Sequence, residues 1–244
     1  MIDEPLTVIF SRNGWVRSRQ GWEVDPAGLS FKEGDGLLSL IKCRTVDPVI
    51  FLDSLGRAYT VSAGDLPPGR GDGVPASSLV ELQSGGRIMY VVAGKPDTAV
   101  LVASTGGYGF LSKIADMVSN RKAGREFMTL DEGETPVAPV VYEPAGAKSV
   151  ATVSEQGRLL VFGIDEMRTL ARGRGVILMG LEKGEKLVAG AILTGRSVRV
   201  RGQGRGGKDK DIDISGEKLE HYRGHRARMG RVLPDKIKPT GLGG

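Results

Sequence analysis

A repeat of about fifty residues is the feature that most limits what this chain can fold into. Four segments share a short apolar run, a polar turn that contains glycine, and a second apolar run: 8–16, 49–59, 100–110 and 150–160. Each pattern predicts a β-hairpin. The turn glycines of the four hairpins lie 42, 51 and 50 positions apart, and they are Gly14, Gly56, Gly107 and Gly157.

A second landmark recurs with the same period. An apolar residue, two polar residues and a glycine precede a further apolar run, and the glycines are Gly34, Gly85, Gly133 and Gly184. These glycines lie 51, 48 and 51 positions apart. Two landmarks with one period indicate a true structural repeat.

The repeat predicts an all-β, propeller-like fold. A unit of about four short strands cannot bury both faces of its sheet alone, so neighbouring units must pack together. Short helical turns are expected near 113–118 and 165–170. We expect about five four-stranded blades with a degenerate last blade, followed by a C-terminal tail at 235–244 that is rich in proline and glycine. The expected blades are 1–46, 47–96, 97–147, 148–195 and 196–234.

Charge is concentrated near the C-terminus. The chain carries 34 Lys and Arg against 29 Asp and Glu, whereas residues 196–244 carry 13 against 6. A basic end on a near-neutral body favours a polyanionic partner, although charge runs are also common on solvated surfaces.

The remaining composition predicts a cytoplasmic, monomeric domain. The single Cys43 excludes an intramolecular disulfide, and a packed thiol is the favoured interpretation of it. No apolar run approaches the length of a membrane span, and the N-terminal residues do not have the pattern of a signal peptide. No membrane partner is therefore expected.

Residues 202–209 match two phosphate-binding patterns, G-x-G-x-x-G and G-x-x-x-x-G-K. A P-loop needs Ser or Thr after the lysine and a helix beyond it, but Asp209 follows Lys208. Residues 210–214 alternate between polar and apolar, which predicts a strand. We therefore interpret 202–209 as a hairpin turn. His221 and His225 could share a helix face, but they lack the further ligands that a metal needs.

Basic residues recur in the hairpins and in the loops that follow them. On a propeller-like ring they would form a band around the rim, which suits phosphate contact and the bending of duplex DNA. The candidate DNA-binding residues are Arg12, Arg17, Arg19, Arg57, Arg70, Lys113, Arg121, Lys122, Arg125, Arg158, Arg172, Arg174, Arg199, Arg201, Arg205 and Lys208. The opposing interpretation is that these cations only keep exposed loops soluble.

The chain resembles the C-terminal domain of the DNA-binding subunit of bacterial topoisomerase IV, a type IIA topoisomerase. The resemblance rests on the segments 11–18 (Ser-Arg-Asn-Gly-Trp-Val-Arg-Ser), 53–59 (Asp-Ser-Leu-Gly-Arg-Ala-Tyr), 107–110 (Gly-Tyr-Gly-Phe) and 120–125 (Asn-Arg-Lys-Ala-Gly-Arg). It implies a β-pinwheel, a propeller-like fold whose blades exchange strands, with a basic outer rim that bends DNA.

The resemblance also implies a function and partners. The domain would engage the transported double-stranded DNA and tune the substrate topology preference of a holoenzyme that relaxes supercoils and decatenates chromosomes. Partners would be the N-terminal cleavage core of the same polypeptide and the separate ATPase subunit, in the cytoplasm on the nucleoid. The domain would be non-catalytic and need no cofactor, since Mg²⁺ and ATP act elsewhere in the holoenzyme.

Two other functions remain open from the sequence. The related C-terminal domain of DNA gyrase, which wraps DNA, carries a Q-R-R-G-G-K-G box after its first hairpin, and the region after Arg19 lacks it. Residues 203–208 (Gln-Gly-Arg-Gly-Gly-Lys) are a partial echo of that box in the last repeat. A propeller-like scaffold for protein interaction is the second alternative.

Overall fold

The computed structural model describes residues 1–244, which form short strands with few helical turns. The strands are β1 (Pro5–Ser11), β2 (Trp15–Gln20), β3 (Leu37–Arg44), β4 (Pro48–Asp53), β5 (Arg57–Ser62), β6 (Val74–Pro75), β7 (Ile88–Ala93), β8 (Ala99–Ala103), β9 (Tyr108–Lys113), β10 (Arg125–Glu126), β11 (Val140–Tyr142), β12 (Ser149–Ser154), β13 (Arg158–Gly163), β14 (Val176–Ile177), β15 (Leu187–Leu193), β16 (Ser197–Gln203), β17 (Asp209–Ser215), β18 (Arg231–Val232) and β19 (Lys238–Gly243).

The helices are single turns. Two are α-helical, α1 (Ile114–Met117) and α2 (Glu217–Glu220). Six are 3₁₀ turns: Pro26–Gly28, Ala63–Asp65, Ala76–Leu79, Ile164–Glu166, Arg205–Gly207 and Pro234–Lys236. Helical turns therefore occur at 114–117 and 164–166, close to the predicted positions.

The all-β, propeller-like fold class is confirmed. Four sheets have four strands, in the orders β3-β1-β2-β6, β10-β5-β4-β7, β11-β8-β9-β14 and β15-β12-β13-β18, and the fifth sheet has three, β17-β16-β19. The chain forms two compact units. Unit 1 (1–98 and 113–128) contains the first two sheets, and unit 2 (99–112 and 129–244) contains the strands of the other three.

The residues of the polar turns explain why the hairpins form. Each predicted turn glycine has a positive φ, between 85° and 90°, which glycine adopts without steric cost. Three positions before the glycine, a side-chain oxygen closes the turn in three of the hairpins. Ser11 Oγ accepts the Trp15 N–H at 3.0 Å, Asp53 Oδ1 accepts that of Arg57 at 2.9 Å, and Ser154 Oγ accepts that of Arg158 at 3.2 Å.

Residues 202–209 form the turn of a fifth hairpin, as predicted. β16 and β17 pair antiparallel from Ser197↔Ser215 to Gln203↔Asp209. The Gly207 N–H donates to the Gly204 carbonyl at 3.2 Å, as the Gly107 N–H donates to that of Ser104 at 2.9 Å. Gly207, at φ 75°, therefore extends the series of turn glycines by a further 50 positions from Gly157.

Each four-stranded sheet takes its outermost strand from the following repeat. β6, β10, β14 and β18 are two-residue strands that pair with β2, β5, β9 and β13 of the preceding hairpin. We call each such strand, together with the loop before it, a donor segment. The expected blade limits therefore describe sequence repeats, whereas a physical sheet combines two of them.

The donor segments are held by one repeated hydrogen bond. The N–H after the donor strand donates to the carbonyl of the turn glycine, from Ala76 to Gly14, Phe127 to Gly56, Leu178 to Gly107 and Leu233 to Gly157, at 2.7–3.1 Å. All four donating residues are buried. The bond fixes the register of the exchanged strand.

A third recurring glycine precedes each donor strand. These residues are Gly73, Gly124, Gly175 and Gly230, and all have positive φ. A Cβ at any of them would overlap a backbone carbonyl oxygen of the receiving strand. Glycine is therefore required here both for backbone conformation and for close approach.

Apolar side chains fill the core of each unit. In unit 1 the buried cluster includes Phe10 and Phe51, whose ring centroids lie 6.3 Å apart. In unit 2 one cluster centres on Val161 and Val200, and another on Phe162 and Leu178. Alternation explains this burial in β16, where Val198 and Val200 point inward and their neighbours outward.

The predicted tail at 235–244 is wrong. Residues 238–243 form β19, which pairs with β16 from Arg199↔Gly243 to Gln203↔Lys238. β19 is an edge strand, where proline is tolerated because no ladder N–H is needed on the open side. Pro239 and Leu242 are buried, so this segment belongs to the fifth sheet.

We predict that Gly175→Ala destabilises the protein far more than Gly184→Ala. Both residues have positive φ, 84° and 80°, so alanine costs about 1–2 kcal/mol of backbone strain at each. Gly184 has open space around it, whereas a Cβ at Gly175 overlaps the Gly109 carbonyl, which adds about 1–3 kcal/mol. Urea unfolding measures the difference, and equal midpoints for the two variants would contradict the role of close approach.

Candidate nucleic-acid interface

Three donor segments present an arginine at one equivalent position. Arg70, Arg121 and Arg172 each stand three residues before the donor-segment glycine, and they lie 51 positions apart. All three side chains are exposed, and none of them forms an ion pair. Each unit therefore displays free guanidinium groups at a place fixed by strand exchange.

The fourth donor segment is the most basic, and sequence reasoning missed it. Residues 221–231 contain four arginines and two histidines but no acidic residue. Arg228 and Arg231 are exposed, and Arg231 Nη1 lies 3.3 Å from His221 Nδ1. The third recurring glycine, Gly230, is the signal that would have aligned this loop with the others.

The other two arginines of that loop hold it in place. Arg226 donates to the carbonyls of Glu166 and Ile177 at 2.9 and 2.8 Å. Arg223 donates to Glu220 Oε2 and to Ser149 Oγ, both at 3.1 Å. These bonds order the loop that carries Arg228 and Arg231.

Several other predicted cations are also exposed. Arg12 lies in the first hairpin turn, Lys122 beside Arg121, and Lys113 at the end of β9. Arg205 and Lys208 line a cavity of about 600 Å³ at the fifth hairpin turn, together with Lys210 and Lys236. Lys210 pairs with Asp235 at 3.0 Å, which leaves a net positive cluster at this turn.

Arg17 is not a surface residue, and its prediction as a DNA-binding group is corrected. Its side chain is buried, with 2% of its surface exposed. The guanidinium donates to the carbonyls of Gly71 and, at 2.6 Å, Ser30, and its Cζ lies 5.1 Å from the Phe31 ring centroid. Burial, with the positive charge of Arg19 nearby, lowers the pKa of Arg17. Arg17 alternates with the core residue Val16 in β2, so it lies on the opposite face, where the segments of Ser30, Phe31 and Gly71 cover it, which a count of cations cannot reveal.

Arg57 and Arg174 are half-buried and also have structural partners. Arg57 Nη2 donates to the Ala123 carbonyl at 2.7 Å and so anchors a donor segment. Arg174 Nη2 lies 2.8 Å from Asp131 Oδ2 and 3.6 Å from Glu134 Oε1, and its Cζ lies 3.7 Å from the Tyr108 ring centroid. Both guanidinium groups therefore interact mainly with other groups of the protein.

The remaining predicted cations either have a partner within the protein or are half-buried. Arg199 is exposed but bonded to Asp213 at 2.8 and 3.0 Å, and this hydrogen bond raises its pKa. Arg201 donates to the Leu242 carbonyl at 3.0 Å, and Arg158 Nη2 lies 3.8 Å from Glu182 Oε1. Arg19 and Arg125 are half-buried, and Arg19 lines a cavity of about 510 Å³ with Arg70 and Glu4.

The excess positive charge lies in unit 2. That unit holds 20 Lys and Arg against 15 Asp and Glu, whereas unit 1 holds 14 of each. Exposed arginines and lysines are the side chains that neutralise phosphates in nucleic-acid complexes.

The two histidines do not form a metal centre. His225 Nδ1 lies 3.4 Å from Glu166 Oε1, whereas His221 faces Arg231. No group of three or more His, Cys, Asp or Glu side chains in the chain could hold a metal ion. The sequence prediction that the domain needs no cofactor stays a prediction.

Family and structure comparisons agree with this architecture. A family model described as the DNA gyrase C-terminal domain, beta-propeller, matches residues 98–140 and 148–194, which cover repeats three and four. The chain is 39% identical over 240 residues to the A subunit of DNA topoisomerase 4 from Neisseria gonorrhoeae, and 31% identical over 236 residues to that of Escherichia coli K12. These alignments cover 95% and 94% of the chain, which spans only 30% and 31% of the two relatives.

The solved structures give the same assignment. The E. coli ParC C-terminal domain matches with a TM-score of 0.83 and 28% identity, and 98% of each chain is covered. A DNA gyrase A C-terminal domain matches with a TM-score of 0.55 and 13% identity, which shows the fold alone. The fold and its basic loops thus define a propeller-like domain of the type IIA topoisomerase class. Within that class, the chain belongs with the C-terminal domains of the topoisomerase IV A subunit, as the sequence resemblance indicated.

One further finding concerns membranes. None of the helices is long and apolar enough to cross a bilayer.

We predict that Arg17→Met lowers the free energy of unfolding by roughly 2–4 kcal/mol, because it removes the two charge-assisted hydrogen bonds that the buried Arg17 side chain donates to the Gly71 and Ser30 carbonyls. Arg70→Met is the matched control, and it should change stability by less than about 0.5 kcal/mol because Arg70 is exposed. Chemical denaturation of both variants measures the difference. A neutral Arg17→Met would show that the guanidinium does not hold the Gly71 and Ser30 segments.

We predict that the native Cys43 thiol resists alkylation at pH 8.5. Burial, with the negative charge of Asp47 nearby, raises the pKa of Cys43 to about 12, so almost no thiolate forms at that pH. Mass spectrometry after iodoacetamide treatment should find Cys43 unmodified in the folded protein and modified in urea. Rapid labelling of the folded protein would contradict the packed-thiol assignment.

Proposed function

We propose that this chain is a DNA-binding and DNA-bending domain that contacts the phosphates of duplex DNA. The observation that carries the proposal is the free arginine at the same position of successive donor segments, Arg70, Arg121 and Arg172. Strand exchange fixes each of these loops, so each holds an exposed guanidinium where it can neutralise a phosphate. In the fourth donor segment the equivalent position is Ala227, and the exposed arginines are Arg228 and Arg231 on either side of Gly230.

The secondary contacts come from Arg12, Lys113, Lys122, Arg205 and Lys208. Their exposure supports a role in binding, whereas Arg17 is left out because it is buried. Smooth bending of a short duplex costs about 1–6 kcal/mol, and several phosphate contacts together can offset that cost. Bending would favour crossed or supercoiled segments over relaxed DNA.

The assembly proposed for the whole protein follows from its relatives. They are named as the A subunit of DNA topoisomerase 4, and the chain corresponds to less than a third of their length. We infer that this domain engages the transported duplex for a holoenzyme with a cleavage core and an ATPase subunit. In that setting it would act on the nucleoid and tune relaxation and decatenation.

The domain itself is proposed to be non-catalytic. Strand cleavage by a type IIA enzyme uses a tyrosine nucleophile, which becomes more reactive when its pKa is lowered. Burial instead raises the pKa of Tyr59, Tyr90, Tyr142 and Tyr222. The fifth tyrosine, Tyr108, lies under the Arg174 guanidinium in a paired cluster. This arrangement supports a structural role for the tyrosines.

We predict that the triple variant Arg70→Gln, Arg121→Gln, Arg172→Gln binds linear duplex DNA at least about tenfold more weakly than the parent at low salt. Each lost phosphate contact should reduce the slope of log affinity against log salt by about 0.9. Mobility-shift titrations at several salt concentrations measure both quantities. Thermal unfolding should show that the variant remains folded.

Arg199→Gln is the matched control. Arg199 is exposed like the three arginines, but its charge is paired with Asp213, so its loss should leave the salt slope nearly unchanged. Native affinity in the triple variant would contradict the proposed interface. Absence of salt-sensitive DNA binding by the parent would instead favour a protein-interaction scaffold.

A topology assay separates bending from gyrase-like wrapping. The domain is bound to circular DNA, the DNA is relaxed, and the linking number is measured. Bending alone leaves the linking number nearly unchanged, whereas a large shift would favour the wrapping alternative. Deletion of the turn 204–207 tests whether the partial gyrase-like box contributes.

A further inference from the structure

The fifth sheet has an acceptor edge that no donor segment occupies. In the other four sheets the second strand of the hairpin pairs with a strand from the following repeat. β17 is the corresponding strand of the fifth hairpin, and no strand within residues 1–244 pairs with its outer edge. This edge is seven residues long.

The register identifies the open main-chain groups. Four residues after the turn glycine, Ser18, Leu111 and Val161 each donate to and accept from the main chain of the following repeat, at 2.8–3.1 Å. Asp211 stands four residues after Gly207, so it is the equivalent residue of β17. Because N–H groups alternate between the two edges of a strand, Asp209 and Asp211 present theirs on the open edge.

The charge of the edge indicates what it would accept. Asp209, Asp211 and Asp213 have exposed side chains on one face of β17. The internal donor segments are basic before the glycine, as Arg172 and Arg174 show before Gly175. Asp213 is paired with Arg199, so Asp209 and Asp211 are the carboxylates of this face that remain to pair with a basic donor segment.

A cavity of about 270 Å³ lies beside the same strand, and it is lined by Ile212, Asp213 and Ile214 of β17 together with Lys218, His221, Tyr222 and Pro234. It lies beyond Asp211 on the side away from Gly207, so it faces the part of a bound segment that precedes the glycine, as Leu170 lies beside Leu111 in the third sheet. Strand addition commonly combines main-chain bonds with a pocket for one side chain.

We propose that the outer edge of β17 binds an extended, basic segment of a partner protein by strand addition. The segment has the chemistry of the internal donors: arginines, a glycine, two strand residues and an apolar residue. The N–H of that apolar residue donates to the carbonyl of Gly207, and the two strand residues pair beside Asp209. This binding site is distinct from Arg70, Arg121 and Arg172, the arginines that carry the DNA proposal, and it lies beside the secondary contacts Arg205 and Lys208.

A peptide that copies residues 170–180 of this chain is the probe. Isotope-labelled protein titrated with it should show saturable shifts of the Asp209 and Asp211 amide signals. A peptide N-methylated at the residue equivalent to Leu178 keeps its charge and side chains but lacks the N–H, and it should bind about tenfold more weakly. Absence of saturable shifts, or equal binding by the two peptides, would overturn the proposal.

Variants of the edge complete the test. Asp209→Lys with Asp211→Lys should abolish peptide binding, whereas Glu217→Lys, an exposed acidic residue outside β17, should retain it. Circular dichroism checks that both variants fold. DNA binding should persist in the double variant, so failure of this proposal and failure of the DNA proposal give different results. Peptide binding unaffected by the double variant would place the site elsewhere.

Discussion

The hydrogen bond from each donor segment to the carbonyl of a turn glycine is the constraint on which the rest of the structure depends. It fixes the two-residue strand against the preceding hairpin, and it does so four times with nearly the same length. A buried peptide group that lost this partner would cost about 1–3 kcal/mol. Each sequence repeat therefore first completes the sheet of the preceding hairpin and then forms its own hairpin.

Strand exchange also divides the arginines into two groups. Arg17, Arg57, Arg174 and Arg226 bind carbonyls or carboxylates and so hold the exchanged loops in place. Arg70, Arg121, Arg172 and Arg228 are carried by the same loops but extend into solvent. The arginines of the first group stabilise the conformation of the loops, and those of the second group are displayed to solvent by the same loops. Net charge alone, which is +5 for the chain, describes neither role.

Particular elements show where sequence reasoning succeeded and where it failed. Hairpins, turn glycines and the fifth turn at 202–209 were predictable because period-two alternation and glycine turns are local signals. The strand β19 was not, since Pro239 and Gly241 resemble a tail until an edge partner is known. The burial of Arg17 was hidden for a similar reason, because its partners at Gly71 and Ser30 lie far along the chain.

The sequence by itself determined the repeat, the all-β class and the resemblance to type IIA topoisomerase domains, because each of these rests on residue types at short, regular spacing. Tertiary structure alone decided which repeat supplies the outer strand of each sheet, which arginines are free, and which edge stays open. Those outcomes depend on pairings between segments some fifty residues apart, where hydrogen bonds and close backbone approach, not local propensity, select the partner.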